Sequence, residues 1–176
     1  HFPDGNAGVA RHLVRALIPA ALPGSTMEDQ VVAMVDYAAL DTPGNEVRLR
    51  LNSTVVKVAH DGDPAAATSV TVTYAGLDGL KSVKAGHVVL ACWHRVIPYL
   101  TEALAPDQIS AFYDQPEATV IYTNVLLRNW KALDELKIDG ARARGNFWSG
   151  FEIDFPVSMG DYTFADTPED PVILHL

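Results

Sequence analysis

Three predicted strands between residues 51 and 93 constrain the fold more than any other part of this sequence. Leu51–Val58 is apolar and β-branched, Val70–Tyr74 alternates Val with Thr, and Gly86–Ala91 closes with a continuous apolar run. Two glycines bracket the turn between the second strand and the third. We therefore predict a β-meander in which the last strand, at Val88–Ala91, is more buried than the other two.

The flanking segments predict helices before the meander and mostly strands after it. A turn at residues 4–6 leads into a helix that extends to about Ala21, and a second helix begins near Ser25 or Thr26. Short helices are expected within residues 97–112. Further strands are expected at Ala118–Arg128, Phe147–Phe155 and Val172–Leu176. The predicted fold class is α+β.

Composition narrows the function classes. The chain has 176 residues, of which 48% are hydrophobic, so one domain with a sizeable core or two small lobes is expected. The formal net charge of −9 argues against nucleic acid and anionic membranes as partners, and it favours cationic ligands. Because no apolar run approaches about 18 residues, we expect no membrane span. The oligomeric state is left open.

Side chains with catalytic potential show no familiar arrangement. The six histidines lack metal-site spacing, so no metal is expected, and Ser149 does not lie in a nucleophile elbow. Glu152 and Asp154 share one face if their segment is extended, and we interpret them as solvated. Cys92 is the only cysteine, and because it ends an apolar run we predict a buried, unreactive thiol. No catalytic residue is assigned.

Several segments together resemble the flavin amine oxidase superfamily, and most closely bacterial spermidine dehydrogenase-like proteins. The most specific are HFPDGNA from residue 1, LNSTVV from residue 51, VVLACW from residue 88 and YTNVLLRNW from residue 122. None of the twelve glycines forms the G-x-G-x-x-G turn that holds a pyrophosphate in that superfamily. We therefore expect this chain to be an internal piece of a longer enzyme.

The resemblance implies cofactor contacts at five residues. Gly5 and Asn6 occupy the place of a Pro-x-Gly-Gly turn before a helix beside the flavin, with Asn where a second Gly is usual. Val55 matches a valine whose main chain contacts the adenine, although it is equally interpreted as an ordinary strand residue. Cys92 and Trp93 match a strand end near the nucleotide, and the alternative is a packed strand terminus.

A substrate cavity is the second implication. Alternation places Tyr122 and Asn124 on one face of their strand, where an aromatic ring and an amide suit an amine. Trp148 is a third candidate. The alternative for all three is the solvated side of a sheet.

The resemblance implies that residues 1–96 form part of an FAD/NAD(P)-binding-type domain and residues 97–176 part of a mixed-sheet substrate domain. The intact protein would oxidise an amine or polyamine by hydride transfer to FAD. We expect the isolated chain neither to retain FAD nor to be active. Whether the chain should be classed as an enzyme is left open. Alternatives are a non-catalytic binding module or another FAD-domain enzyme such as a desaturase. The location, periplasm or cytoplasm, is undecided.

Overall fold

The structure is a computed structural model that describes residues 3–176, and it confirms the α+β class. The part of the HFPDGNA segment before Pro3 lies outside the described residues. The chain divides into two compact units, one formed by residues up to 48 together with 119–176 and the other by residues 49–118. The domain boundary expected between residues 96 and 97 stays a prediction.

Helices and strands are both short. The helices are α1 (Ala7–Leu17), α2 (Met27–Val32), α3 (Ile97–Leu100), α4 (Pro106–Asp114) and α5 (Lys131–Leu136). The strands are β1 (Thr54–His60), β2 (Val70–Gly76), β3 (Gly79–Ala85), β4 (Asn124–Leu127), β5 (Gly140–Arg142), β6 (Gly150–Ile153) and β7 (Val172–His175). Short 3₁₀ helices occupy Pro19–Ala21, Tyr37–Asp41 and His94–Val96.

The first unit begins with α1, which ends four residues before the expected Ala21. Pro19 has no N–H to continue the α-helical ladder, so the chain tightens into a 3₁₀ turn after Leu17. The following Ala21 and Leu22 are 0% and 1% exposed and form the centre of a small core. Arg15 closes this turn by donating from its Nη2 to the carbonyl of Pro23 at 2.7 Å.

Helix α2 starts where the sequence predicts, because Thr26 and Asp29 form a capping box. The Asp29 N–H donates to Thr26 Oγ1 at 3.0 Å, and the Thr26 N–H donates to Asp29 Oδ2 at 2.8 Å. The Ser25 N–H donates to the same carboxylate oxygen at 2.8 Å. These hydrogen bonds, first among them the one from the Thr26 backbone, lower the pKa of Asp29 to about 2.

In the second unit, β1, β2 and β3 form an antiparallel meander in the order β1-β2-β3. The predicted pairing of the first two strands is therefore confirmed. Val58 of β1 and Tyr74 of β2 are buried, and α3 packs against β1 with its buried Ile97 and Leu100. The third strand follows the turn at once, seven residues earlier than predicted.

The prediction of a buried strand at Val88–Ala91 is wrong. These residues have no regular secondary structure, and Val89 is 88% exposed. A continuously apolar strand is buried only where strands or helices cover it, and none of the strands in the described residues pairs with this segment. Cys92 is exposed for the same reason, so the expected burial of its thiol is also wrong.

The remaining strands form a second antiparallel sheet in the order β4-β7-β6-β5. The strands predicted here are present but shorter, since Ala118–Arg128 reduces to β4. Register and alternation place Val125, Leu127, Val172, Leu174 and Ile153 on one face. The opposite face carries the polar residues Asn124, His175, Glu152 and Asp154 together with the apolar Leu126 and Ile173. We call this second surface the polar face.

Candidate functional site

The polar face is built by strand register. His175 of β7 lies directly across from Asn124 of β4 on one side and from Glu152 of β6 on the other. Asp154 follows β6, and its N–H donates to the carbonyl of Ile173 at 2.9 Å, which continues the ladder. Since residues two apart on a strand share a face, Glu152 and Asp154 lie on the same side as the imidazole.

The two ring nitrogens of His175 contact the side chains of Asp154 and Asn124. Its Nε2 donates to Asp154 Oδ1 at 2.9 Å, because a carboxylate oxygen can only accept. Its Nδ1 lies 2.6 Å from Asn124 Oδ1. Either the doubly protonated ring donates there, or the Asn124 amide turns and donates to a bare Nδ1. The same Asp154 Oδ1 also accepts the Phe155 N–H at 2.8 Å.

Two grooves, each of about 530 Å³, meet at this network. We call the first the aromatic groove. It is lined by three aromatic residues, Trp130, Phe155 and Phe164, and by three acidic residues, Asp139, Glu152 and Asp154. The second, the open groove, is lined by Tyr122, Arg142, Ser149, Phe151 and neighbouring residues. Asp139, Glu152, Ile153 and His175 line both grooves.

The aromatic groove combines negative charge with ring surfaces. Within residues 3–176, neither the Asp139 nor the Glu152 carboxylate has an ion-pair or hydrogen-bond partner. An organic cation gains from the carboxylates and from the negative faces of aromatic rings. The groove therefore suits a cation on an apolar stem better than an anion.

The sequence-predicted substrate residues fall in different places. Tyr122 lines the open groove and is 82% exposed, while Asn124 is held by His175. Trp148 lines neither groove. Its Nε1 donates to Thr123 Oγ1 at 2.9 Å, and its ring packs edge-on against Phe147.

The five residues expected to contact a cofactor are divided between the two units. Gly5 has φ +67°, whereas Asn6 is right-handed at φ −66° and caps α1 without a side-chain hydrogen bond. Val55 lies on β1 opposite Tyr74 and is 37% exposed. Cys92 and Trp93 belong to the exposed segment after Ala91, so neither forms a packed strand end.

These residues do not fit the pyrophosphate of FAD. The turn before α1 lacks the G-x-G-x-x-G spacing, and the amides of Gly8 and Val9 already donate to the carbonyls of Gly5 and Asn6. A pyrophosphate needs a row of free amides at a helix start. The edge strand at Val55 remains compatible with an adenine edge, which needs only main-chain groups.

Other site types find no support in the described residues. No group of three or more His, Cys, Asp or Glu side chains is placed to bind a metal ion between residues 3 and 176. None of the helices there has the length and apolar character needed to cross a membrane. No protein-family model matches the chain, and a search of curated proteins finds no match either.

Sequence reasoning found one half of the site and missed the other. It placed Glu152 and Asp154 on one face and interpreted both as solvated, which agrees with the exposed Glu152 but not with the half-buried Asp154, which accepts a hydrogen bond from His175. It treated His175 only as a histidine without a metal partner. The last strand, VILHL, gives no signal of a polar face at His175, because alternation places His175 on the same face as the apolar Ile173. Only the pairing of β7 with β6 shows that Asp154 receives its hydrogen bond.

Proposed function

We propose that the protein acts in the flavin-dependent oxidation of an amine or polyamine, with FAD as the hydride acceptor and the aromatic groove as the amine-binding site. The observation that carries the amine half is the lining of this groove by three acidic and three aromatic residues. Support for the flavin half is the resemblance of the segments at residues 1, 51, 88 and 122 to flavin amine oxidases.

Physical chemistry favours an amine over other small ligands in this groove. The half-buried carboxylate of Asp154 and the exposed carboxylates of Asp139 and Glu152 attract an ammonium group, while the aromatic rings accommodate its alkyl stem and contribute cation–π attraction. The chain's net charge of −9 concentrates cations near its surface. The role of these residues is to bind and orient the amine, because the redox chemistry belongs to the cofactor.

A second candidate is a binding module without redox chemistry. One observation favours it: Val88–Ala91, on which part of the family resemblance depends, is irregular and is not a strand within a sheet, and its Val89 is exposed. Both candidates use the aromatic groove, but only the first requires a nucleotide site. The two candidate functions therefore predict different results when FAD is added and the same result when an amine is added.

The amine half is tested by titrating spermidine into the 176-residue chain in a calorimeter. Asp154→Asn removes a charged acceptor from the groove, and we expect about tenfold weaker binding, since one charge-assisted hydrogen bond is worth at least about 1.4 kcal/mol. Asp161→Asn removes the same charge from an exposed residue that lines neither groove and is the matched control. Equal losses in both variants, or no binding by the parent chain, would refute the amine site.

The flavin half needs a separate experiment on the protein purified from its natural source. Anaerobic addition of spermidine should bleach the oxidised flavin absorption if the amine is the hydride donor. A protein that binds spermidine but purifies without flavin and stays colourless after FAD addition would support the binding module.

A further inference from the structure

The Asp154 carboxylate is asymmetric in a way that bears on which cation it accepts. Its Oδ1 receives two hydrogen bonds, from His175 Nε2 at 2.9 Å and from the Phe155 N–H at 2.8 Å. A carboxylate oxygen has about two lone-pair sites, so Oδ1 is saturated. Its Oδ2 has no hydrogen-bond partner among residues 3–176, and Asp154 lines the aromatic groove.

We propose that His175 is a positioning residue that makes Asp154 a one-oxygen acceptor and so favours an alkylammonium over an alkylguanidinium ligand. This inference rests on the proposed amine site. An ammonium is a compact point charge that a single oxygen satisfies, whereas a guanidinium gains most from two parallel bonds to both oxygens of one carboxylate.

Competing effects set the size of this preference. A guanidinium is more weakly hydrated than an ammonium and stacks on aromatic faces, so the rings of the groove by themselves favour it. Glu152 is more exposed than Asp154 and has both oxygens free, so it offers a guanidinium a bidentate alternative. The quantity to measure is therefore the ratio of the two affinities and its change when His175 is altered.

Binding of n-butylammonium and n-butylguanidinium, which carry the same alkyl stem and one charge each, measures that ratio. In His175→Ala, Oδ1 keeps only the Phe155 N–H and regains one lone pair, so a second bond to the guanidinium becomes available. We expect the ratio to move about tenfold toward butylguanidinium, which corresponds to one hydrogen bond of about 1.4 kcal/mol.

Two further variants separate positioning from a general structural effect. His175→Gln can place its amide N–H near Oδ1, so it should restore a ratio close to that of the parent chain. Glu152→Gln should weaken both ligands without moving the ratio toward the guanidinium, because it leaves Asp154 unchanged. Circular dichroism and thermal unfolding establish that each variant is folded.

The outcomes distinguish the two proposals. If neither cation binds the parent chain, the amine site fails, and this inference fails with it. If both bind and the ratio is the same in the parent chain, His175→Ala and His175→Gln, the positioning role of His175 is refuted while the amine site stands. A shift in His175→Ala that His175→Gln does not reverse also contradicts the role, because the donor would then be irrelevant.

Discussion

Replacing Leu22 with alanine should be among the most destabilising single changes in the first unit. Its side chain is 1% exposed and is the largest fully buried one in the described residues. The substitution removes three carbons, and at about 0.8 kcal/mol per buried methylene the transfer loss is about 2.4 kcal/mol. The cavity left behind adds to this loss, so we expect about 3 kcal/mol in total.

Leu17→Ala is the matched control, because Leu17 is 53% exposed and lies only five residues away. It makes the same chemical change at a position that keeps much of its surface in water, so the expected loss is below about 1 kcal/mol. The hydrogen bond from Arg15 Nε to the Leu22 carbonyl uses the main chain and survives the substitution at Leu22. The difference between the variants therefore isolates side-chain burial.

Urea unfolding followed by circular dichroism measures both variants. The midpoint should fall strongly for Leu22→Ala and little for Leu17→Ala, with similar slopes. A thermal scan should show a drop of about 6–12 °C for Leu22→Ala, at about 2–4 °C per kcal/mol for a chain of this size. Equal midpoints for the two variants would show that the small core around Leu22 does not contribute to stability as its burial implies.

Three further predictions follow from the low pKa values of two carboxyl groups, from the exposed thiol of Cys92 and from the turn before α1. The pKa of Asp29 and that of Asp61, which accepts hydrogen bonds from Ser69 and Thr71, both lie at about 2, below the usual value of 3.8. Their stabilisation is present above pH 3.8 and is lost as pH falls through about 2, so the thermal midpoint should drop over that range and less steeply in Asp29→Asn. Cys92 is exposed, so a thiol reagent should label it in the folded chain without denaturant, and protection would contradict the structure. The 176-residue chain mixed with FAD and passed through a desalting column should emerge colourless, and a retained flavin band would show that its pyrophosphate site was misjudged.

Local signals in the sequence predicted those elements whose stabilising contacts are close along the chain. The capping box at Thr26 joins residues three apart, and the turn at Gly79, with φ +103°, joins neighbouring strands. Both follow from residue types whose physical roles hold in nearly any fold. The start of α2 and the turn between β2 and β3 were accordingly predictable.

Burial and side-chain partnership depend instead on distant parts of the chain. The His175 ring meets Asp154 across 21 residues and Asn124 across 51, and no periodicity in one segment contains that information. Likewise, an apolar run such as Val88–Ala91 predicts burial only if a partner strand exists to cover it. The alternating face of β4 was predictable, but its role in holding His175 was not.

The two lines of support for the proposed function are only partly independent, because the family-like segment from residue 122 belongs to the same unit as the aromatic groove. The aromatic groove and the His175 network lie in the unit that contains β4 to β7, whereas Val55 and Val88–Ala91 lie in the unit that contains the meander. The irregular backbone of Val88–Ala91 therefore weakens the flavin half without touching the amine half. Amine binding does not decide between an oxidoreductase and a binding module, since both need the same carboxylates and rings. What decides between them is whether the apolar segment at Val88–Ala91 enters a nucleotide-binding sheet in the natural protein. An adenine contact at Val55 alone is too weak to hold FAD without a pyrophosphate site. Hydrogen exchange on the natural protein answers this directly: protected amides at residues 88–91 support the flavin enzyme, and rapid exchange there supports the binding module.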